Sequence, residues 1–286
     1  MRVIHERCCG LDVHQKTVVA CVLLTDPDGA VQRRVQTFGT MTADLLALAD
    51  WLDGAGVTQI AMESTGVYWR PIFNVLEGEG RAITLVNPQH IRAVPGRKTD
   101  VKDSEWLADL LRHGLVKPSF IPPAPIRDLR ELTRYRKSLV QGRTQEINRV
   151  HKLLEGANIK LGAVASDILG KSGRDMLAAL AGGEQDPAVL AELARGRMRA
   201  KLPQLRQALA GRLRPVHTVL LTQLLGHIAY LDEAIARLHD AIDAMLAPFA
   251  AAVDLLQTIP GVSAVAAATI VAEIGVDMAR FPDAAH

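Results

Sequence analysis

Asp100 and Asp103 stand three residues apart in the run Arg97-Lys98-Thr99-Asp100-Val101-Lys102-Asp103, a spacing that puts both carboxylates on one face of a helix. The stretch reads as a helix start. Thr99 is a good N-cap, both acids fall in the first turn where the helix dipole favours negative charge, and Val101, Leu107, Leu110 and Leu111 supply apolar packing. Two readings compete for it. One is a capped surface helix, for which a single acid would suffice. The other is a divalent metal held between carboxylates that would otherwise repel, with Arg97, Lys98 and Lys102 around them to receive a phosphodiester. The second reading needs further carboxylates, and Asp12 and Glu63 lie upstream, each directly after a run of apolar residues. Each has a plain alternative: Asp12 in a turn after Gly10-Leu11, and Glu63 as the cap of a helix beginning near Ser64-Thr65-Gly66. An unpaired carboxylate at the end of an apolar strand is costly to desolvate. Converging on one sheet edge, Asp12, Glu63, Asp100 and Asp103 can hold two magnesium ions roughly 3.5 to 4 Å apart, one activating a nucleophile and the other stabilising a leaving oxygen.

The elements that must position these acids follow a βββαβαβα pattern. Cys8 to Asp12, Thr17 to Leu24 and Val31 to Phe38 read as three antiparallel strands, the last two joined by the strong turn Asp26-Pro27-Asp28-Gly29. Met41 to Asp53 has helical spacing and leads into the short strand Gln59 to Met62; Val67 to Leu76 is a second helix and Ala82 to Val86 a further strand. A meander followed by parallel crossovers fits a mixed α/β sheet of ribonuclease H-like architecture, whose parallel strand ends are where such sheets carry their sites.

Past residue 117 the character changes. A Pro-rich connector at 118–125 ends the sheet domain of 1–117, and Ile126 to Glu155 then runs as one long helix. Its basic residues, Arg127, Arg130, Arg134, Arg136, Lys137 and Arg143 among them, outnumber its acids. A solvated charged face explains that excess; phosphate-backbone contact beside the acidic site is the competing explanation. An all-α region over 126–247 includes a heptad seam from Leu220 through Leu224, Ile228, Leu231, Ile235 and Leu238 to Ile242, which fits packing within one chain or across a dimer. At 248–286 a helix, the turn Ile259-Pro260-Gly261-Val262 and an Ala-rich helix make a helix-hairpin-helix pattern, able to hold a phosphate at its turn amides. Cys8, Cys9 and Cys21 have neither disulfide nor zinc spacing and read as buried strand residues. With no signal core and no long uncharged span, the chain is expected in the cytoplasm without a membrane partner. Scarce aromatics argue against a single-strand stacking platform.

The blocks Gly10-Leu11-Asp12-Val13-His14, Met62-Glu63-Ser64-Thr65-Gly66-Val67-Tyr68, Val86-Asn87-Pro88 and Lys98-Thr99-Asp100-Val101-Lys102-Asp103 resemble the signatures of insertion-sequence transposases that carry an N-terminal RuvC-like DEDD domain. Ile259-Pro260-Gly261-Val262 and Glu273-Ile274-Gly275 resemble the opening of their C-terminal transposase domain. The resemblance implies that Asp12, Glu63, Asp100 and Asp103 bind Mg2+ and are the catalytic acids. It further implies a coiled coil mediating assembly as a homo-oligomer, dimer or tetramer, and a recombinase guided on double-stranded DNA by a structured bridge RNA. The family's nucleophilic serine has no match between Gly275 and His286, and Ser263 does not fit its block, so the chain is expected to be C-terminally truncated and unable to recombine DNA alone. Two alternatives stand beside it: a metal-dependent RuvC-like junction nuclease that uses the same four acids, and a non-catalytic nucleic-acid-binding regulator whose binding would not need them. A sugar kinase or ATPase is disfavoured, since Val13-His14-Gln15-Lys16 replaces the phosphate loop that class needs.

Overall fold

A computed structural model describes residues 2–64, 66–78, 80–89, 102–281 and 283, and the chain forms two compact units, Met1–Ile121 and Pro122–His286. In the first unit, β1 (Arg7–Val13), β2 (Thr17–Thr25) and β3 (Val31–Gly39) make an antiparallel meander. After it come α1 (Thr42–Gly54), β4 (Gln59–Glu63), α2 (Trp69–Leu76), β5 (Ala82–Val86) and α3 (Asp103–Arg112). The sheet order is β3-β2-β1-β4-β5, with β4 parallel to β1 and β5 parallel to β4. This is the ribonuclease H-like arrangement that the sequence pattern predicts. Gly29, at φ +87, closes the β2–β3 turn by donating its N–H to the Asp26 carbonyl at 2.8 Å.

Strand alternation gives the sheet two packed faces. Cys9, Leu11 and Val13 of β1 and Ile60 and Met62 of β4 pack with Leu45, Leu48, Leu52, Ile72 and Leu76 of α1 and α2. On the other face Cys8, Ala61 and Val86 pack with Leu107, Ala108 and Leu111 of α3. The three cysteines are free and buried. Burial pushes the Cys8 and Cys21 thiols up to about 12, and Cys9 well above its ordinary value, so all three are protonated packing groups.

The start of α3 departs from the sequence expectation. Its N-cap is the extended Lys102 (φ −62, ψ 147) rather than Thr99, and its first-turn acids are Asp103 and Glu105. The helix begins at Asp103, one residue before its buried stripe starts at Ser104. Arg97, Lys98 and Asp100, with the cap predicted at Thr99, lie outside the described residues.

In the second unit α4 (Ala124–Gly156) starts with Pro123 as N-cap and a proline in its first turn. A helical cap follows, made of α5 (Leu161–Val164), α6 (Lys171–Ala181), α7 (Pro187–Glu192), a 3-10 turn (Gly196–Lys201) and α8 (Leu202–Ala208). The long α9 (Pro215–Leu246) then returns along α4, and α10 (Ala250–Gln257) and α11 (Ala264–Ile274) form a helical hairpin. Arg143 meets Asp232, Glu146 meets His227, and Ile126 and Leu129 share a cluster with Ile242 and Leu246, so α4 and α9 run antiparallel. The predicted seam packs on α4 of the same chain, displaced at its start: Leu221 is fully buried and Leu220 half exposed.

The Asp232 carboxylate joins three elements, accepting hydrogen bonds from Arg143 of α4 and, at 2.7 Å, Arg174 of α6. Partial burial alone would raise its pKa, but the two guanidiniums outweigh that and hold it below the ordinary carboxylate value. A depressed folded-state pKa contributes stability that is present above the unfolded pKa and lost as pH falls through the folded one. Asp232→Asn is therefore expected to destabilise the second unit by roughly 1–2 kcal/mol at neutral pH, a figure discounted for partial exposure. The gap from wild type should close as pH drops below about 4, as thermal melts of both proteins at several pH values would show. A gap constant down to pH 2 would mean that the pairing does not stabilise the fold.

Candidate metal and nucleic-acid site

The register of β1 and β4 places the two upstream acids. Gly10 pairs with Ala61 and Leu11 with Met62; the next step of that register sets Asp12 beside Glu63, on strands about 4.8 Å apart. Alternation then decides the face. Cys8, Gly10 and Asp12 share the α3 side of β1, and Ala61 and Glu63 share it on β4. Both carboxylates therefore lie on one face of the sheet, at the C-terminal ends of neighbouring parallel strands.

α3 covers that face antiparallel to β1. The Cys8 thiol donates to the Ala108 carbonyl, at 3.6 Å, and the Arg112 carbonyl accepts from the backbone N–H groups of Ile4 and His5. One turn further towards the helix N-terminus, Ser104 lies over Gly10 so closely that a Cβ there would be 2.3 Å from the Ser104 carbonyl oxygen. The start of α3, with Asp103 and Lys102, thus points towards the Asp12 and Glu63 edge, and Asp103 is exposed as its first residue. On the same face Arg33 of β3 pairs with Glu105 of α3 at 2.6 Å.

Asp12 is 22% exposed at its side chain, and one of its oxygens lies 3.2 Å from the Nε2 of His14. Hard carboxylate oxygens on neighbouring strands suit a divalent cation such as magnesium, calcium or manganese better than a soft metal, and without one their charges oppose each other. Among the described residues, no three His, Cys, Asp or Glu side chains come close enough together to hold a metal ion. The structure thus brings together Asp12 and Glu63 and aims the Asp103 end of α3 at them; Asp100 lies outside the described residues.

The basic residues singled out on α4 have several internal partners. Arg134 makes a bidentate pair with Glu273 of α11, 2.8 Å to each oxygen, and Arg130 donates to the carbonyls of Ala272 and Glu273. Arg127 donates to the Pro122 carbonyl at 3.0 Å, and Arg143 is bound to Asp232. The hydrogen bonds from Arg134 hold the Glu273 carboxyl below its ordinary value against the opposing effect of partial burial. Arg134, Arg136 and Lys137 line a groove of about 940 Å³ between α4, α9 and α11, across from Ser263, whose side chain caps α11 by accepting the Ala266 N–H. No composition argument could have revealed the Arg130 and Arg134 pairings, because their acidic partner is Glu273, far along the sequence.

A family model described as a transposase, for the DEDD transposases of IS110 elements, matches residues 9–159, more than half of the chain. The chain belongs to the IS110 family of transposases. A second model, for transposases of the IS116/IS110/IS902 family, matches residues 253–286, a span that takes in the Ile259–Val262 turn and α11. Membership places the chain in a family of transposases, a class of enzymes of nucleic-acid cleavage and recombination. No curated protein sequence matches it. Among solved structures, RuvC of Thermus thermophilus is similar at 13% identity over 40% of this chain and 99% of RuvC, with a TM-score of 0.30. The same organism's RuvC in complex with a Holliday junction substrate is similar at 10% identity, with the same coverage and a TM-score of 0.29. At such scores the fold assignment rests on the strand order itself. No helix among the described residues is long and apolar enough to cross a membrane.

Proposed function

We propose that this chain is the transposase of a mobile insertion sequence: a magnesium-dependent recombinase that acts on double-stranded DNA with a structured guide RNA, in the cytoplasm and as a homo-oligomer. The observation that carries the reading is the placement of Asp12 and Glu63 side by side on the α3 face of the sheet, in a chain of a transposase family. Asp12 and Glu63, with Asp103 at the start of α3 and Asp100 by resemblance, would hold the metal. When bound, Mg2+ there would polarise a phosphodiester and lower the pKa of an attacking oxygen. The protein's own part is positioning. The β1–β4 ladder fixes two carboxylates on one rigid face, and α3, seated on Gly10, fixes the direction from which the others approach. Lys102, exposed at the N-cap of α3, would offer a positive charge to the phosphodiester in this reading. Arg136 and Lys137, in the groove beside the α11 N-terminus, supply a second phosphate contact in this reading, and Arg97, Lys98 and the other α4 arginines belong to it on the strength of their clustered charge in the sequence. Serine chemistry is assigned to no residue of the chain, since Ser263 serves as the cap of α11.

The test is to purify the protein from its host and sequence the RNA that accompanies it. A single structured transcript encoded beside the gene is the expected result. No enriched RNA, together with magnesium-dependent cutting of branched DNA, would replace the guided recombinase with a junction nuclease acting through the same acids.

A further inference from the structure

Between Glu192 and Asp232 the chain runs through residues 193–231 without one Asp or Glu, while seven Lys and Arg lie between Arg195 and Arg214. Over the helical cap, residues 157–214, ten Lys and Arg stand against five Asp and Glu, a net +5 in a chain whose total is +2, so the remainder carries −3. The slight positive charge of the whole protein therefore conceals a strongly basic module joined to an acidic remainder.

The fold turns that charge outwards. In the 3-10 turn and α8, Met198, Leu202, Leu205 and Leu209 pack into the core shared with α6 and α7. The intervening Arg197, Arg199, Lys201 and Arg206 are all exposed. Arg199 and Arg206 are held on one side by a single carboxylate, each 3.2 Å from a different oxygen of Glu192. Two guanidiniums against one acid leave a positive charge and several unused N–H donors there. The Arg197 side chain has no hydrogen bond or ion pair among the described residues.

We propose that this arginine face of the helical cap is a binding surface for the phosphate backbone of duplex DNA, separate from the carboxylate edge and from the α4 groove. The proposal rests on the transposition reading for its choice of DNA. Arginine predominates over lysine here, six to one between Arg195 and Arg214, and its planar fork matches two phosphate oxygens where lysine offers a point charge. The cap also contains no Phe, Tyr, Trp or His at all between residues 157 and 214. With no ring to stack on a base, the surface suits a paired duplex whose backbone faces outward rather than a single strand. Contacts of this kind fix register and orientation without reading sequence.

The experiment measures binding of the full chain to a duplex of about 30 base pairs by fluorescence anisotropy, from about 50 to 200 mM salt, beside the triple variant Arg197→Gln, Arg199→Gln, Arg206→Gln. Each phosphate contact contributes about 0.9 to the slope of log affinity against log salt, so the triple variant should lower that slope by about 2 to 3, equally for unrelated sequences. The corresponding triple lysine variant should keep most of the slope. If the glutamine triple fails to fold, Arg197→Glu alone, at a position with no internal partner, should still lower the slope by about 1. A wild type that binds duplex DNA and variants whose slope is unchanged would overturn this surface and leave the transposition reading standing. A wild type that binds no duplex would overturn both. Loss confined to an RNA stem of the same sequence, with DNA binding intact, would overturn the assignment of DNA as the occupant.

Discussion

Asp12→Asn yields a chain that is slightly more stable without metal and no longer stabilised by magnesium. In the wild type, the β1–β4 register extended by one step sets Asp12 beside Glu63, and like charges directly opposite cost a few tenths to about 1 kcal/mol before their other partners, His14 beside Asp12 among them, are counted. Removing one charge relieves that opposition. It also removes a ligand, so the stabilisation that magnesium gives by mass action, about 1.4 kcal/mol at ten times its dissociation constant, disappears. Glu63→Gln should behave the same way. The two signs together separate a metal site from the plain alternatives, because an Asp12 that shaped a turn or a Glu63 that capped α2 would lose stability on substitution whether or not magnesium were present. Differential scanning fluorimetry of wild type and both variants, with and without 10 mM magnesium, reads this directly. Magnesium-dependent cleavage or joining of DNA by any complex containing the chain should fall by about a thousandfold or more, equivalent to roughly 4 kcal/mol of barrier. Variants that still respond to magnesium like wild type would remove the carboxylate pair from the site.

Short apolar runs and turn chemistry made the sheet legible in the sequence. The apolar run Cys8 to Leu11, the Asp26-Pro27-Asp28-Gly29 turn and short apolar runs at Gln59 and Ala82 each specify an element locally, and the ladder follows once those elements pair. That Asp12 and Glu63 share a side follows from the period of two once the register is known, but which side it is emerges only from the packing of α3, since β1 and β4 are apolar on both faces. The start of α3 was not legible. A threonine followed by acids is a strong cap pattern, but the observed helix begins at the residue before Ser104, the first position buried against β1, and that packing is a property of the sheet rather than of the run. Pairing of the α4 arginines was hidden for the same reason. Basic residues on a long helix look available for phosphate until the fold brings Glu273 and the C-terminal carbonyls of α11 against Arg130 and Arg134. The heptad pattern slid from Leu220 to Leu221 because α9 also closes the core of the helical cap, where Leu221 packs with Leu205, Leu209 and Leu213.

Gly10→Ala should destabilise the first unit by about 2–3 kcal/mol, and Gly10→Val by more. A Cβ at this position would lie 2.3 Å from the Ser104 carbonyl oxygen and 2.5 Å from the Ala108 backbone nitrogen, far inside contact distance. Neither obstacle can rotate away, because both are backbone atoms of a helix whose Leu107, Ala108, Leu110 and Leu111 are buried in the same cluster. The whole of α3 must therefore lift from β1 or the strand must bend. A glycine in a strand where another backbone approaches closely is what the sequence run Cys9-Gly10-Leu11 encodes, and it is the means by which a helix start is brought down to a sheet edge. Gly54→Ala is the matched control: Gly54 ends α1, and a Cβ there meets nothing within 4 Å, so the chain should be unchanged or more stable by up to about 1 kcal/mol. Urea denaturation midpoints of the two variants decide the point, and a Gly10→Ala midpoint equal to wild type would mean that α3 is not seated on β1. The functional consequence follows from the same geometry. Lifting α3 draws Asp103 and Lys102 away from Asp12 and Glu63 without altering any ligand, so the fraction of Gly10→Ala that remains folded should bind magnesium more weakly. Asp12→Asn instead loses the metal from a sheet that is otherwise intact, and comparing the two separates the positioning of the acids from their chemistry.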